Sequence, residues 1–125
     1  MRLLLDSHAL LWALGDPDKL QADSRSAIQE SSNDVFVSAA SVWEISIKRA
    51  KGKLETTADL VVELEAARFQ PLPISYLHGV AAGSLPEHHG DPFDRMLIAQ
   101  ALLEGMTIVT RDVRFEPYGV PILEA

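Results

Sequence analysis

Four acids in this 125-residue chain stand where acids do chemistry: Asp6, Glu44, Asp94 and Asp112. Asp6 follows Leu3-Leu4-Leu5, an apolar run that reads as a buried strand. It therefore lies at a strand's carboxyl end, outside which open α/β sheets bind ligands. The plain alternative is that Asp6 or Ser7 caps the next helix, and one residue does not decide between the two. Asp112 lies likewise just past Thr107-Ile108-Val109-Thr110, its alternative being a turn aspartate. Asp91 and Asp94 open an apolar helix and share a face of its first turn. Asp-Pro at 91–92 is a good helix start in its own right, and Asp94 is an acid the helix dipole favours. Glu44, between Trp43 and Ile45, reads first as the partner of Lys48 at i, i+4, worth roughly 0.2–0.5 kcal/mol.

If these acids meet, the chemistry is constrained. Two unit charges ~4 Å apart repel by roughly 4 kcal/mol at an effective dielectric of ~20. A cleft of four carboxylates needs protons or a cation. The chain has no cysteine, so the ion would be a hard, oxygen-loving one such as Mg²⁺ or Mn²⁺ rather than thiolate-held zinc. Such a site suits metal-assisted hydrolysis of a phosphodiester.

The elements that would position them alternate strand and helix, the pattern of an α/β fold with a mainly parallel sheet. Residues 2–6, 35–37, 71–74, 107–110 and 120–123 read as strands, the prolines at 71 and 73 putting theirs at an edge. Helices are expected from Ser7 to about Ala13, stopping near Gly15-Asp16-Pro17, and from a cap at Asp23 or Ser24 to about Ser31. Others run from Ser38 to Lys51 with Gly52 as the stop, and from Thr57 or Asp59 through Phe69. The last two run from Ser75 to Ala82 and from Asp91 to Glu104, ending at Gly105. The 91–104 helix is apolar on most faces and is expected to be buried.

Composition bounds the rest. With 47% apolar residues the chain can build one core. No stretch approaches the ~20 apolar residues of a membrane span, and the start lacks a signal-peptide pattern. A soluble, cytoplasmic protein of one domain, residues 1–125, is expected. The net charge of −7 argues against a passive nucleic-acid coat. It leaves room for a nuclease, whose bound cations reverse the local sign.

The order and context of these acids resemble the PIN-domain family, and within it the VapC-type toxins of toxin–antitoxin pairs. The likeness runs through Leu3-Leu4-Leu5-Asp6-Ser7-His8, Ser41-Val42-Trp43-Glu44-Ile45-Ser46-Ile47-Lys48 and Gly52-Lys53-Leu54. It continues in Asp91-Pro92-Phe93-Asp94-Arg95-Met96-Leu97-Ile98-Ala99-Gln100-Ala101 and ends on Thr110-Arg111-Asp112. It implies a three-layer α/β/α sandwich around a parallel sheet. It implies that Asp6, Glu44, Asp94 and Asp112 form an acidic pocket for Mg²⁺ or Mn²⁺, with Asp6 and Asp94 the first direct ligands. RNA cleavage, a homodimer and a cognate antitoxin follow from the same likeness. Ser7 keeps the hydroxyl that many relatives supply as threonine. Ser7, Asp91, Lys48, Arg95, Thr110 and Arg111 are the candidates for supporting the acids or touching RNA.

The remaining features have two readings each. Lys48, Arg49, Lys51 and Lys53 form a basic cluster, either a solvated helix end or a phosphate-steering patch beside the acids. Arg95 and Arg111 each flank a site acid, to tune it, to contact phosphate, or to form structural ion pairs. His88 and His89 are expected in a mobile loop at the pocket mouth, since no third ligand has zinc spacing. His8 is expected to be structural. Trp12, Trp43 and Phe93 are expected in the core rather than as stacking platforms. Rival functions are an aspartyl-phosphate enzyme or receiver, a housekeeping RNA-processing nuclease without antitoxin, and a fold-only binding module. For the aspartyl-phosphate enzyme, His8 occupies the place of the required second acid.

Overall fold

The computed structural model describes residues 1–54 and 59–125. Five strands, β1 (Arg2–Leu5), β2 (Asp34–Ser38), β3 (Gln70–Leu72), β4 (Thr107–Thr110) and β5 (Ile122–Glu124), form one sheet in the order β3-β2-β1-β4-β5. Every pairing is parallel. The helices between them are α1 (Ser7–Gly15), α2 (Ala22–Gln29), α3 (Ala39–Ala50), α4 (Leu60–Ala66), α5 (Tyr76–Ser84) and α6 (Pro92–Glu104).

Alternation along β1 sorts the sheet's faces, as the two-residue period of a strand requires. Leu3 and Leu5, with Val35, Val37 and Val109, pack against Ala9 and Leu10 of α1 and Ile45 of α3. Leu4 and Ile108 point the other way, against Leu97, Ile98 and Ala101 of α6. The result is the expected α/β/α sandwich. The chain builds outward from β1 through β2 to β3, then crosses to β4 on β1's other side. The ends of β1 and β4 therefore flank the point where the winding reverses, the crevice in which such sheets bind ligands.

Local chemistry fixes the boundaries. Asp6, Ser38, Asp59, Ser75 and Asp91 are all N-caps whose side chains accept helix N–H groups. Of the two expected starts for α4, Asp59 caps it; Thr57 lies outside the described residues. Gly105 ends α6 at φ +67°, a left-handed turn that glycine enters without strain.

Three expectations are corrected. α2 starts at Ala22 and not after a cap at Asp23 or Ser24; Ser24 is buried and donates instead to the main-chain oxygen of Glu124. That tertiary bond outweighs the local cap. α6 is buried through Leu97–Ala101, but Leu102 and Leu103 are 46% and 51% exposed, so its last turn escapes the cover of the sheet and α5. A 3-10 segment, Val113–Tyr118, fills the β4–β5 connection where no element was expected.

The two-sided core makes a direct prediction. Ile108→Ala, fully buried beneath α6, should cost about 2–5 kcal/mol. Val80→Ala, on the exposed side of α5, should stay within about 0.5 kcal/mol. Urea unfolding midpoints at unchanged slope read the difference.

Candidate functional site

Asp6 sits where β1 ends and α1 begins, 5% exposed. Its helix-cap reading is realised, at the carboxyl end of β1. Oδ1 accepts the Ala9 N–H at 2.8 Å as a helix cap, and Oδ2 accepts the Thr110 hydroxyl at 2.6 Å. The Thr110 oxygen in turn accepts the Asp112 N–H at 3.1 Å, so one hydroxyl couples the acids that follow β1 and β4.

Glu44 is reached from α1. Ser7 Oγ donates to its Oε1 at 2.5 Å, while Lys48 Nζ lies 3.0 Å from Oε2. The i, i+4 pair exists, and the same carboxylate also faces the site. Asp91 caps α6 by accepting the Asp94 N–H at 2.9 Å, which orients the first turn. Asp94 Oδ2 then meets His89 Nε2 at 2.7 Å.

His89 is the residue that sequence reasoning placed wrongly. It is 6% exposed, with its ring 6.1 Å from the buried Phe115 ring. The loop around it is tied down. The Tyr118 hydroxyl accepts the N–H groups of His88 and His89 and donates to the Pro86 carbonyl. Arg95 accounts for much of the rest, donating to the carbonyls of Ala82, Leu85, Pro86 and His89. Arg95 thus holds the His89 loop. Arg111 lies 4.4 Å over the Trp12 ring and donates to the main-chain oxygens of Lys19 and Ala125. Local spacing carries no signal for His89, because its partner is set by the loop's path.

Arg114 was also missed. Its guanidinium grips Asp112 through both carboxylate oxygens, with contacts of 2.7–3.1 Å. The signal was an acid two residues before an arginine, the first of them also capping the 3-10 segment. Trp43, expected in the core, is 62% exposed and meets Phe93 edge-to-face at 5.2 Å. Its position on α3 points off the packed face that Ile45 occupies.

The electrostatics follow from this crowding. Burial is the main cause that raises the Asp6 carboxyl, against the bonds from Thr110 and Ala9; Asp112 adds to the rise. Burial likewise pushes Asp94 up to about 6, with the charges of Asp91 and Glu44 in support. Asp112 goes the opposite way, because Arg114 hydrogen-bonds its ionised form. One ligand-type atom each from His89, Asp94 and Asp112 falls within 4.8 Å of the others. Asp6 and Glu44 border this trio through the hydroxyls of Thr110 and Ser7 and through pairwise repulsion. Two desolvated carboxyls that resist ionisation, beside a trio of converging donors, fit a divalent cation: it would supply the charge the site lacks.

This produces a pH signature. An aspartate ionises near 3.8 when unexposed to such effects, whereas folded Asp94 keeps its proton to about 6. The folded state binds more protons in that window, so this contribution to stability is full below about 4 and is lost as pH rises through about 6. Its size is on the order of 2 kcal/mol. Urea midpoints of metal-free protein, measured across pH 4–7 against Asp94→Asn, should show wild type losing stability relative to the variant. A relative gain would contradict the burial argument.

The PIN domain family model matches residues 3–120. Ribonuclease VapC22 of Mycobacterium tuberculosis is 28% identical over 122 residues, covering 95% of this chain and 93% of that protein. Among solved structures, VapBC2 from Rickettsia felis bound to a promoter DNA fragment superposes with a TM-score of 0.71 at 18% identity, covering 99% of this chain and 98% of the other. DNA-bound VapBC from Salmonella typhimurium gives 0.69 at 18%, covering 98% and 97%. The winding order, the acids gathered at its reversal point and a family match over nearly the whole length agree: the chain belongs to the PIN domain family.

Proposed function

We propose that this chain is a Mg²⁺- or Mn²⁺-dependent endoribonuclease, a single domain over residues 1–125. On this reading it is the toxin of a toxin–antitoxin pair acting in the cytoplasm as a homodimer. The observation that supports the reading is the convergence of His89, Asp94 and Asp112 within 4.8 Å at the β1–β4 crevice, with Asp6 and Glu44 at its border and burial raising the carboxyls of Asp6 and Asp94. The likeness to a protein named a ribonuclease supports the substrate class. The VapBC neighbours support an antitoxin partner. Exposed Leu77, Leu102 and Leu103 on the packed pair α5 and α6 supply apolar surface for a second copy.

Asp94 and Asp112 would hold the cation together with Asp6, and Glu44 would complete the acidic wall. Three carboxylates favour a hard, oxygen-loving ion over a closed zinc site. When bound, the metal supplies an activated water and offsets charge on the scissile phosphate. The chain's own residues do the rest. Thr110 fixes one oxygen of Asp6, Ser7 fixes one oxygen of Glu44, and His89 fixes Asp94. Each acid is thereby oriented by a donor from a different element, which limits reorganisation during the reaction. Lys48 brings positive charge to the edge of an otherwise acidic crevice.

The test is RNA cleavage with Mg²⁺, with chelator, and with substituted proteins. Chelator should abolish cleavage. Asp6→Asn and Asp94→Asn should each lower it by roughly 100-fold or more. His89→Ala should weaken Mn²⁺ affinity, read by calorimetry, by about 10–100-fold. Cleavage by Asp6→Asn at the wild-type rate would sink the proposed site.

A further inference from the structure

Asp112 is held differently from the acid it is coupled to. Asp6 is bonded by neutral donors, the Ala9 N–H on Oδ1 and the Thr110 hydroxyl on Oδ2. Asp112 accepts a guanidinium. Arg114 Nε lies 3.0 Å from Oδ1 and 3.1 Å from Oδ2, and Nη2 lies 2.7 Å from Oδ2. The Arg114 backbone N–H adds a bond of 2.9 Å to Oδ1. Among the described residues, every hydrogen bond this carboxylate accepts comes from Arg114. A carboxylate offers about four acceptor sites, shared equally by its oxygens. Arg114 fills them and leaves none aimed at a cation. Yet an Asp112 oxygen lies within 4.8 Å of ligand-type atoms of His89 and Asp94. The acid stands where a cation would meet it, with its acceptor capacity already taken.

The fork is not needed to orient Asp112. The residue is the N-cap of the Val113–Tyr118 segment, and the backbone bond from Arg114 to Oδ1 fixes the carboxylate as such caps do. Its own N–H is tied to the Thr110 hydroxyl. The guanidinium, by contrast, can leave. The Arg114 side chain is 62% exposed, and among the described residues its hydrogen bonds and its ion pair go to Asp112 alone. Release returns it to water, where an exposed ion pair is worth little. The plain alternative is an ordinary surface pair. That alternative does not account for the setting. Besides the bonds and charge of Asp112, the charges of Asp94 and Asp91 also favour the charged guanidinium. The metal-free crevice thus draws a cation from its own chain.

We propose that Arg114 is a displaceable counter-ion: it closes over Asp112 in the metal-free protein and yields an Asp112 oxygen when a divalent cation enters the crevice. This rests on the metal-dependent reading of the site and adds its regulation. Asp112 stays oriented by its cap while the fork opens. Cation uptake and release of the arm are then one equilibrium, so the chain binds metal more weakly than its donor set alone would. An arm closed about 90% of the time weakens the apparent affinity about 10-fold.

The experiment is calorimetric titration of the metal-free full chain with Mn²⁺. Arg114→Gln should bind about 10-fold more tightly than wild type. A clamp that merely orients Asp112 gives the opposite sign. Repeating the substitution in an Asp112→Asn background, which keeps an N-cap, tests the contact itself. There Arg114→Gln should gain nothing, because no carboxylate is left for the arm to close. Weaker or unchanged affinity in Arg114→Gln overturns the proposal. So does an equal gain in both backgrounds, which a general charge effect would give. Asp94→Asn, titrated alongside, separates the arm from the site. If that variant takes up Mn²⁺ as wild type does, the crevice is not the metal site and both ideas fall. If it loses Mn²⁺ while Arg114→Gln gains nothing, only the arm falls.

Discussion

The structure is organised around a carboxyl group that the fold keeps out of water. Asp6 is held between the Ala9 N–H and the Thr110 hydroxyl at the ends of the two strands whose separation marks the reversal of winding. An ionised acid so placed is costly unless hydrogen bonds or a cation compensate it. The fold concentrates that cost by bringing Asp94, Asp112 and Glu44 to the same crevice, and then limits it acid by acid. Arg114 grips Asp112, His89 bonds Asp94, and Lys48 and Ser7 share Glu44. Every acid has a donor, yet Asp6 and Asp94 still resist ionisation. A divalent cation bound there would offset that charge.

The surrounding scaffold serves this arrangement. Arg95 and Tyr118 together tie the loop that carries His89 through the carbonyls of Ala82, Leu85, Pro86 and His89. Phe115, fully buried in the 3-10 segment, sits against the His89 ring and connects the site to the core under α6. Charge is zoned along α3: its first half presents the Glu44 carboxylate to the crevice and its last turn carries Lys48 and Arg49. A chain of net charge −7 needs such a zone if it is to hold a polyanion beside an acidic centre.

What the sequence disclosed and what it hid have distinct physical causes. Asp6 and Asp112 were legible because short apolar runs mark buried parallel strands and the residue after such a run has a known location. Asp91 was legible because Asp-Pro opens helices. Which acids converge came from the family resemblance, since strand order is not written in local pattern. His89 was hidden because its partner, though five residues away, is chosen by a loop that Arg95 and Tyr118 hold from a distance. Trp43 and the end of α6 were misjudged for a related reason. Hydrophobic pattern tells which residues can be buried and not where the covering element stops, so Leu102, Leu103 and Trp43 remain open.

The central claim is that the acids after β1 and β4 and at the start of α6 form one divalent-metal site. Crystals soaked in Mn²⁺ and measured for anomalous scattering test it most directly. The account predicts an anomalous peak in the β1–β4 crevice among the carboxylates of Asp6, Asp94 and Asp112, absent from crystals of Asp94→Asn. Manganese bound only elsewhere, or an unaltered crevice peak in the Asp94→Asn crystals, would contradict it.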